Sequence, residues 1–189
     1  LPANKARAIS RAAKEVWKEK HHDQFPIDVF QTGSGTSSNM NANEVIANLA
    51  SKNSKLNIGP NDDVNMSQSS NDVIPTAIKI SAHIDLTKKL YPALDKLINE
   101  IQTKAKSLKG VTKTGRTHLM DAMPIDFSDE LLAWSSQLSA CRNMLEVIEE
   151  RFLELPQGGT AVGSGINAHK QFAKFFAQEM SKILETKRK

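Results

Sequence analysis

The placement of glycine constrains this chain most strongly. All nine glycines lie between stretches in which apolar residues recur at three- or four-residue steps. That spacing puts apolar side chains on one face of an α-helix, and no segment alternates apolar and polar residues for the length of a strand. The pattern predicts loops over Lys52–Met66 and Gly110–Pro124, and helices over Asn4–Lys20, Ser38–Ser51, Ser67–Leu108, Ser128–Glu154 and Ala168–Thr186.

Helices joined by short polar loops predict an all-α fold, a long-helix bundle. The helices are longer than the dozen residues usual in globular proteins, which favours a bundle that packs against other subunits. Pro75 and Pro92 lie inside the longest pattern, so a helix start or a kink is expected near each. The helix over Ser128–Glu154 is expected to face inward with seven residues: Leu131, Trp134, Leu138, Cys141, Leu145, Ile148 and Phe152.

Composition narrows the class of protein further. A single cysteine, Cys141, excludes an internal disulfide and a cysteine metal cluster, which is typical of a reducing compartment. No apolar run approaches the ~18 residues of a membrane span, and the N-terminus lacks the apolar core of a signal peptide. The net charge of +4 comes largely from Lys187–Lys189, without interleaved aromatic residues, so neither a nucleic acid nor a membrane is an expected partner. The missing initiator Met suggests a piece of a longer protein.

Four polar loops precede predicted helices and are the unusual feature of the sequence. Helix N-termini carry unpaired N–H groups, and glycine admits a ligand close to the backbone, so such loops suit carboxylates or phosphates. Ordinary helix capping is the alternative, but the four loops hold more hydroxyls than caps can use. The loops are Thr32–Asn39, Asn65–Asp72, Gly115–Asp121 and Gly158–Asn167.

Nucleotide and metal sites are less well supported. No stretch matches the phosphate-binding P-loop, and Gly163–Ala168 fits a relaxed dinucleotide pattern without the strand that should precede it. No two histidines share a helix face around a glutamate, so a zinc pattern is absent.

His118, beside Arg116 and Thr117, is the candidate for proton transfer because imidazole titrates near neutrality. The other histidines are expected to be structural: His21, His22, His83 and His169.

The four motifs together resemble those of one family, the class II fumarases of the fumarase and aspartase superfamily, in order and spacing. They read Gln31-Thr32-Gly33-Ser34-Gly35-Thr36-Ser37-Ser38-Asn39-Met40-Asn41, Ser67-Gln68-Ser69-Ser70-Asn71-Asp72, Gly115-Arg116-Thr117-His118-Leu119-Met120-Asp121-Ala122 and Gly158-Gly159-Thr160-Ala161-Val162-Gly163. The serine-rich second motif and His118 resemble fumarase, since aspartases typically carry glutamine at the position of the histidine.

The resemblance implies a reversible, stereospecific anti addition of water to fumarate that gives L-malate, a step of the tricarboxylic acid cycle, with no metal or organic cofactor. It implies that residues 1–66 are the end of a smaller helical N-terminal domain and that 67–189 are the first part of a central helical bundle. His118 would take part in proton transfer. The residues expected to hold the substrate carboxylates are Ser34, Thr36, Ser69, Ser70, Asn71 and Thr117.

Some family features lie outside this sequence or differ within it. The family's lysine, its histidine-orienting glutamate and its mobile serine loop are expected beyond Lys189, and that serine is a leading candidate for the base. Residues 1–189 alone are therefore predicted to be inactive. A secondary anion site is expected at Gly59, Pro60, Asn61 and Asp62, but many members carry histidine where Gly59 stands, which weakens this expectation.

Family members are homotetramers whose active sites take loops from three subunits, and the same assembly is expected here, in the cytoplasm or in the mitochondrial matrix. Two alternatives stay open. One is another lyase of the superfamily, aspartase or argininosuccinate lyase. The other is a non-catalytic helical assembly protein with the same fold.

Overall fold

The computed structural model describes residues 1–28, 30 and 33–184. Within them the chain forms six α-helices and one two-stranded sheet, so the predicted all-α, long-helix fold is confirmed. The helices are α1 (Ala3–Trp17), α2 (Thr36–Ser54), α3 (Ser70–Asp85), α4 (Tyr91–Ser107), α5 (Phe127–Phe152) and α6 (Phe172–Ile183), and the strands are β1 (Thr112–Thr117) and β2 (Met120–Asp126). Residues 185–186, predicted to end the last helix, lie outside the described residues, as do Gln31 and Thr32. None of the described helices is long and apolar enough to cross a membrane.

The longest predicted helix is divided by a π-helical segment. Leu86–Leu90 joins α3 to α4, and the Tyr91 N–H bonds to the carbonyl five residues earlier, that of Leu86. Pro92 stands in the first turn of α4, where its missing N–H does the least harm. The backbone stays helical through Leu90 and Tyr91, so the irregularity expected near Pro92 is a π-helical segment within a continuous helix and not a separate helix start. Pro75 lies inside α3 and cannot donate the usual hydrogen bond to the carbonyl of Asn71.

Two compact units divide the chain, residues 1–78 with 155–189 and residues 79–154. In the first unit α1 packs against α2 through small residues. Their short side chains let the two helix backbones approach closely. The buried cluster consists of Ala8, Ala12, Ala47, Ala50 and Ile58. The predicted division of the family's domains after residue 66 stays a prediction.

In the second unit α4 packs against α5, and polar contacts join them. Gln102 on α4 donates to the Ser135 hydroxyl on α5 at 3.0 Å. The face of α5 predicted to point inward is only partly covered. Leu131, Leu138, Leu145 and Phe152 are half-buried, whereas Cys141 and Ile148 are exposed and Trp134 is 50% exposed.

The loop predicted over Gly110–Pro124 is a β-hairpin in the structure, and this part of the sequence prediction was wrong. Its strands pair from Thr112 with Asp126 to Thr117 with Met120, with a register shift at Gly115. Most strand residues are exposed on both faces, so the sequence shows no alternation to detect. A side chain at Gly115 would lie 2.5 Å from the Met123 carbonyl oxygen, which explains glycine at the shift.

Candidate active site

Ser69 and Asp72 close the N-terminus of α3 as a reciprocal cap. The Asn71 N–H donates to the Ser69 hydroxyl at 3.2 Å, and the Ser69 N–H donates to Asp72 Oδ1 at 2.9 Å. This is the capping-box arrangement, in which two otherwise unpaired N–H groups of the first turn are satisfied. The cap fixes the main chain of Ser69, Ser70 and Asn71, the three residues of the second motif expected to bind substrate.

The second oxygen of Asp72 holds the glycine-rich fourth motif against this helix start. Asp72 Oδ2 accepts the N–H groups of Gly158 at 3.0 Å and Thr160 at 2.8 Å, and Asp72 is only 2% exposed. Asn71 Nδ2 donates to the Ala161 carbonyl at 2.9 Å, and the Ser67 hydroxyl donates to that of Asn167. The second and fourth motifs are therefore in direct contact within one unit.

The first motif lies at the start of α2 and joins the same group. The hydroxyl oxygens of Ser34 and Thr36 are 3.2 Å apart, and Asn39 Nδ2 donates to the Ser70 hydroxyl at 2.9 Å. Gly35 has a φ of +68°, and a side chain there would lie 2.7 Å from Ile74 on α3. Glycine thus lets the start of α2 approach α3 closely.

An open cleft lies beside the start of α3 and has a volume of about 430 Å³. None of the residues that line it is charged, and polar side chains alternate with the apolar Met66, Ala161 and Ile166. The lining combines the second and fourth motifs with part of the turn before them. The lining residues are Asn61, Asn65, Met66, Ser67, Gln68, Ser69, Ser70, Thr160, Ala161, Ile166 and Asn167. Side-chain hydroxyl and amide groups can donate hydrogen bonds to a small carboxylate, and the helix dipole favours negative charge near a helix N-terminus.

Thr117 and His118 lie in the second unit, where the structure places them at the turn of the hairpin. His118 and Leu119 form its two-residue loop, with φ of +49° and +63°. Both side chains are exposed, and Leu119 is 94% exposed. Non-glycine residues rarely adopt this left-handed conformation, so the turn holds His118 in a strained and accessible position.

The expected secondary anion site forms a turn after α2. Pro60–Val64 is π-helical, and the Gly59 N–H donates to Asp63 Oδ2 at 2.9 Å. The Lys5 ammonium group, 2.6 Å from the same oxygen, holds the pKa of Asp63 below its ordinary value, with help from the Gly59 N–H. The Gly59 N–H that could meet an anion is thus engaged by a carboxylate. An anion site at Gly59, Pro60, Asn61 and Asp62 stays a prediction.

His21, His83 and His169 have local contacts consistent with structural roles, and the structural role expected for His22, which is exposed, stays a prediction. His83 is buried with Nδ1 3.6 Å from a Glu149 oxygen, and His21 lies 3.3 Å from Glu15. His169 Nδ1 accepts the Gln171 N–H. Among residues 1–28, 30 and 33–184, no group of three or more His, Cys, Asp or Glu side chains could hold a metal ion.

Sequence reasoning missed the residues that organise the site: Asp72 and Thr160. Asp72 follows Ser69 by three residues, and this spacing is a capping-box signal that could have been detected. Asp72 also accepts hydrogen bonds from Gly158 and Thr160, which follow it by 86 and 88 residues in the sequence. No local sequence pattern encodes contacts over such a separation.

Comparison with known proteins identifies the class to which this fold and site belong. Residues 1–188 match the protein family described as Lyase. The chain therefore belongs to this lyase family.

Within it, relatives similar to this chain include several class II fumarate hydratases, which confirms the resemblance seen in the motifs. Fumarate hydratase class II 2 of Pseudomonas aeruginosa is 49% identical over 183 residues, which cover 97% of this chain and 40% of that protein. Fumarate hydratase class II of Bacillus subtilis is 46% identical over 188 residues, which cover 97% of this chain and 41% of that protein. The chain thus spans about two fifths of the length of these relatives.

Solved structures agree with the sequence relatives. The recombinant class II fumarase of Schistosoma mansoni superimposes with a TM-score of 0.88 at 37% identity, over 97% of this chain and 40% of that one. A cobalt-bound Brucella melitensis protein described as fumarate lyase:delta crystallin superimposes with a TM-score of 0.87 at 42% identity, over 100% of this chain and 42% of that one.

Proposed function

We propose that the complete protein containing this chain catalyses the reversible, stereospecific hydration of fumarate to L-malate. The observation that carries the proposal is the hydrogen-bonded group of neutral donors at the starts of α2 and α3. Asn39 joins the two helix starts, and Asn71 joins them to the fourth motif. Relatives named class II fumarate hydratase, 46–49% identical over nearly all of this chain, support the same reaction.

The chemistry requires such donors. In the direction of dehydration, a base takes a proton from the carbon next to one carboxylate, the carbon–carbon double bond forms, and the hydroxyl leaves the neighbouring carbon as water after it gains a proton. Negative charge builds on the adjacent carboxylate as the first proton leaves. Donors that are already oriented stabilise this charge without reorganising. We assign carboxylate binding to Ser34, Thr36, Ser69, Ser70, Asn71 and Thr117.

His118 takes part in the proton transfers. Its place in an exposed, strained turn gives the imidazole access to a ligand. The family's mobile serine loop, which would lie beyond Lys189, supplies the leading candidate for the base, so His118 acts as its partner acid or as a relay. No residue of the four motifs replaces that serine loop, and residues 1–189 alone are expected to show no malate dehydration.

The proposal includes a homotetramer with active sites shared among three subunits. Large apolar side chains on α5 stay uncovered in the chain by itself, as in Trp134, Met144, Val147 and Ile148. A surface of this kind is typical of a subunit interface. Light scattering on the complete protein tests the assembly, and a monomeric mass would contradict it.

The single cysteine is consistent with a reducing compartment, either cytoplasm or mitochondrial matrix.

The experiment that tests the activity compares L-malate with L-aspartate as substrates of the complete protein and follows the ultraviolet absorbance of fumarate. Turnover of malate that falls steeply in His118→Asn is the expected result. Turnover of aspartate alone would indicate an aspartase. Turnover of neither would favour a non-catalytic protein that shares the fold.

A further inference from the structure

Thr160 has a backbone conformation that a β-branched residue rarely adopts. Its φ is +58°, and the residue is only 6% exposed. Steric conflict between the side chain and the backbone disfavours this region for residues other than glycine, and most strongly for β-branched ones. Such a conformation persists only where surrounding contacts impose it.

Asp72 supplies the contact that imposes it. Asp72 Oδ2 accepts the Thr160 N–H at 2.8 Å and the Gly158 N–H at 3.0 Å. A buried carboxylate makes strong, charge-assisted hydrogen bonds, and Asp72 has two of them on one oxygen. These bonds hold the main chain of the fourth motif on both sides of Gly159.

The residue after Thr160 contacts a predicted substrate-binding side chain. The Ala161 carbonyl accepts one hydrogen of the Asn71 amide group, with Nδ2 at 2.9 Å. An amide group is planar, so this single bond fixes where its second N–H and its oxygen point. The position of the Ala161 carbonyl depends in turn on the conformation of Thr160.

We propose that Asp72 is a positioning residue. It holds Thr160 in the strained conformation, and Ala161 then orients the Asn71 amide toward a substrate carboxylate. This inference rests on the proposed function, because it gives Asn71 the task of binding a carboxylate. It adds to that function a specific relay that runs from Asp72 through Thr160 and Ala161 to Asn71.

A capping role alone would explain less of the geometry. The cap of α3 uses Oδ1 of Asp72, which accepts the Ser69 N–H. The two bonds of Oδ2 lead to another segment of the chain and contribute nothing to the helix start. A residue that only capped α3 would be insensitive to the backbone preference at position 160, and this difference separates the two roles.

The first test replaces Asp72 with the isosteric asparagine in the complete protein. An asparagine has one oxygen to accept hydrogen bonds, and its NH₂ group must face either the Ser69 N–H or the N–H groups of Gly158 and Thr160. The hydrogen bonds on that side are lost. We expect the KM for L-malate to rise about tenfold or more while kcat falls by a smaller factor, because the amide contacts the bound carboxylate and the other donors still meet the charge that builds in the transition state. In an Asn71→Ala background, Asp72→Asn should raise KM by a clearly smaller factor than it does in wild type, because the oriented amide is already gone and only an effect through the cap at Ser69 and Ser70 remains.

The second test adds Thr160→Gly to Asp72→Asn. Glycine adopts positive φ without steric conflict, so the loop no longer needs Asp72 to hold this conformation. We expect the double variant to return to within about threefold of the KM of Thr160→Gly alone. Asp126→Asn is the matched control, because Asp126 also caps a helix and accepts two backbone N–H groups. It should lower stability and leave KM unchanged.

Each outcome decides the proposal. It is overturned if Asp72→Asn leaves KM unchanged in an active protein, or if Thr160→Gly fails to restore KM. It is also overturned if Asp72→Asn does not fold either alone or with Thr160→Gly, since Asp72 would then be a requirement of the fold. A wild-type protein without malate or fumarate turnover refutes the proposed function, and this inference falls with it.

Discussion

Asp72 and Thr160 are 88 residues apart in the sequence, yet a carboxylate oxygen of the first accepts the backbone N–H of the second at 2.8 Å. This hydrogen bond joins the serine-rich start of α3 to the glycine-rich fourth motif. Both segments line the same cleft. The carboxylate-binding surface proposed for this protein is thus a property of two distant segments, and its geometry depends on a residue that is itself buried.

Replacement of Thr160 by valine should stabilise the protein by about 1 kcal/mol. The Thr160 hydroxyl is buried and has no hydrogen-bond partner among the described residues. Valine keeps the shape and the β-branch while it removes a polar group that folding takes out of water. Urea denaturation of the complete protein measures the change, and a loss of stability would show that the hydroxyl has a partner in the assembled protein.

Replacement of His118 by asparagine should lower kcat for L-malate about 100-fold or more, the scale of general acid–base catalysis. Asparagine tolerates the left-handed φ of +49° at this position, so the turn should be preserved. Steady-state kinetics give the result. His22→Asn, at an exposed position outside the four motifs, is the control and should behave as wild type. Equal activity in the two variants would remove His118 from the mechanism.

Asp126 should make stability depend on pH in the acid range. The backbone N–H groups of Ser128 and then Gly110 hold the pKa of the Asp126 carboxyl below its ordinary value of 3.8. A carboxyl with a lowered pKa in the folded state stabilises that state above the unfolded pKa, and this contribution is lost as the pH falls through the folded pKa.

The corresponding measurement compares the free energies of unfolding of wild type and Asp126→Asn between pH 7 and pH 2.5. Wild type should be the more stable at neutral pH, and the gap should narrow as the pH falls below about 4. A gap that is constant across this range would show that the charge of Asp126 contributes nothing to the cap of α5.

Replacement of Leu119 by asparagine should stabilise the hairpin by about 0.5–1 kcal/mol. Leu119 has a φ of +63° and is 94% exposed, so its side chain offers little burial in return for the strain. Two-residue hairpin loops favour asparagine or glycine at such positions. Thermal unfolding measures the gain. An unchanged or lower midpoint would indicate that Leu119 is covered by another subunit.

The helices and the family can both be predicted from the sequence alone. Apolar spacing located the long helices because a helix buries one face along its length, and the four motifs predicted the resemblance that the relatives confirm. Sequence reasoning missed the hairpin, because Thr112–Asp126 is mostly exposed and its turn contains neither glycine nor asparagine. A strand is recognised in a sequence by alternating apolar and polar residues, and a sheet that buries neither face does not produce this alternation.

How the motifs combine follows from the tertiary packing of the chain. The hydrogen bonds from Asn39 to Ser70, from Asn71 to Ala161 and from Thr160 to Asp72 bring the first, second and fourth motifs into one group. Each joins residues from 31 to 90 positions apart, and each depends on how the segments pack. The spacing of apolar residues predicts which residues share a helix. The contact between the buried Asp72 carboxylate and the strained backbone of Thr160 depends on how distant segments pack, which no local spacing encodes.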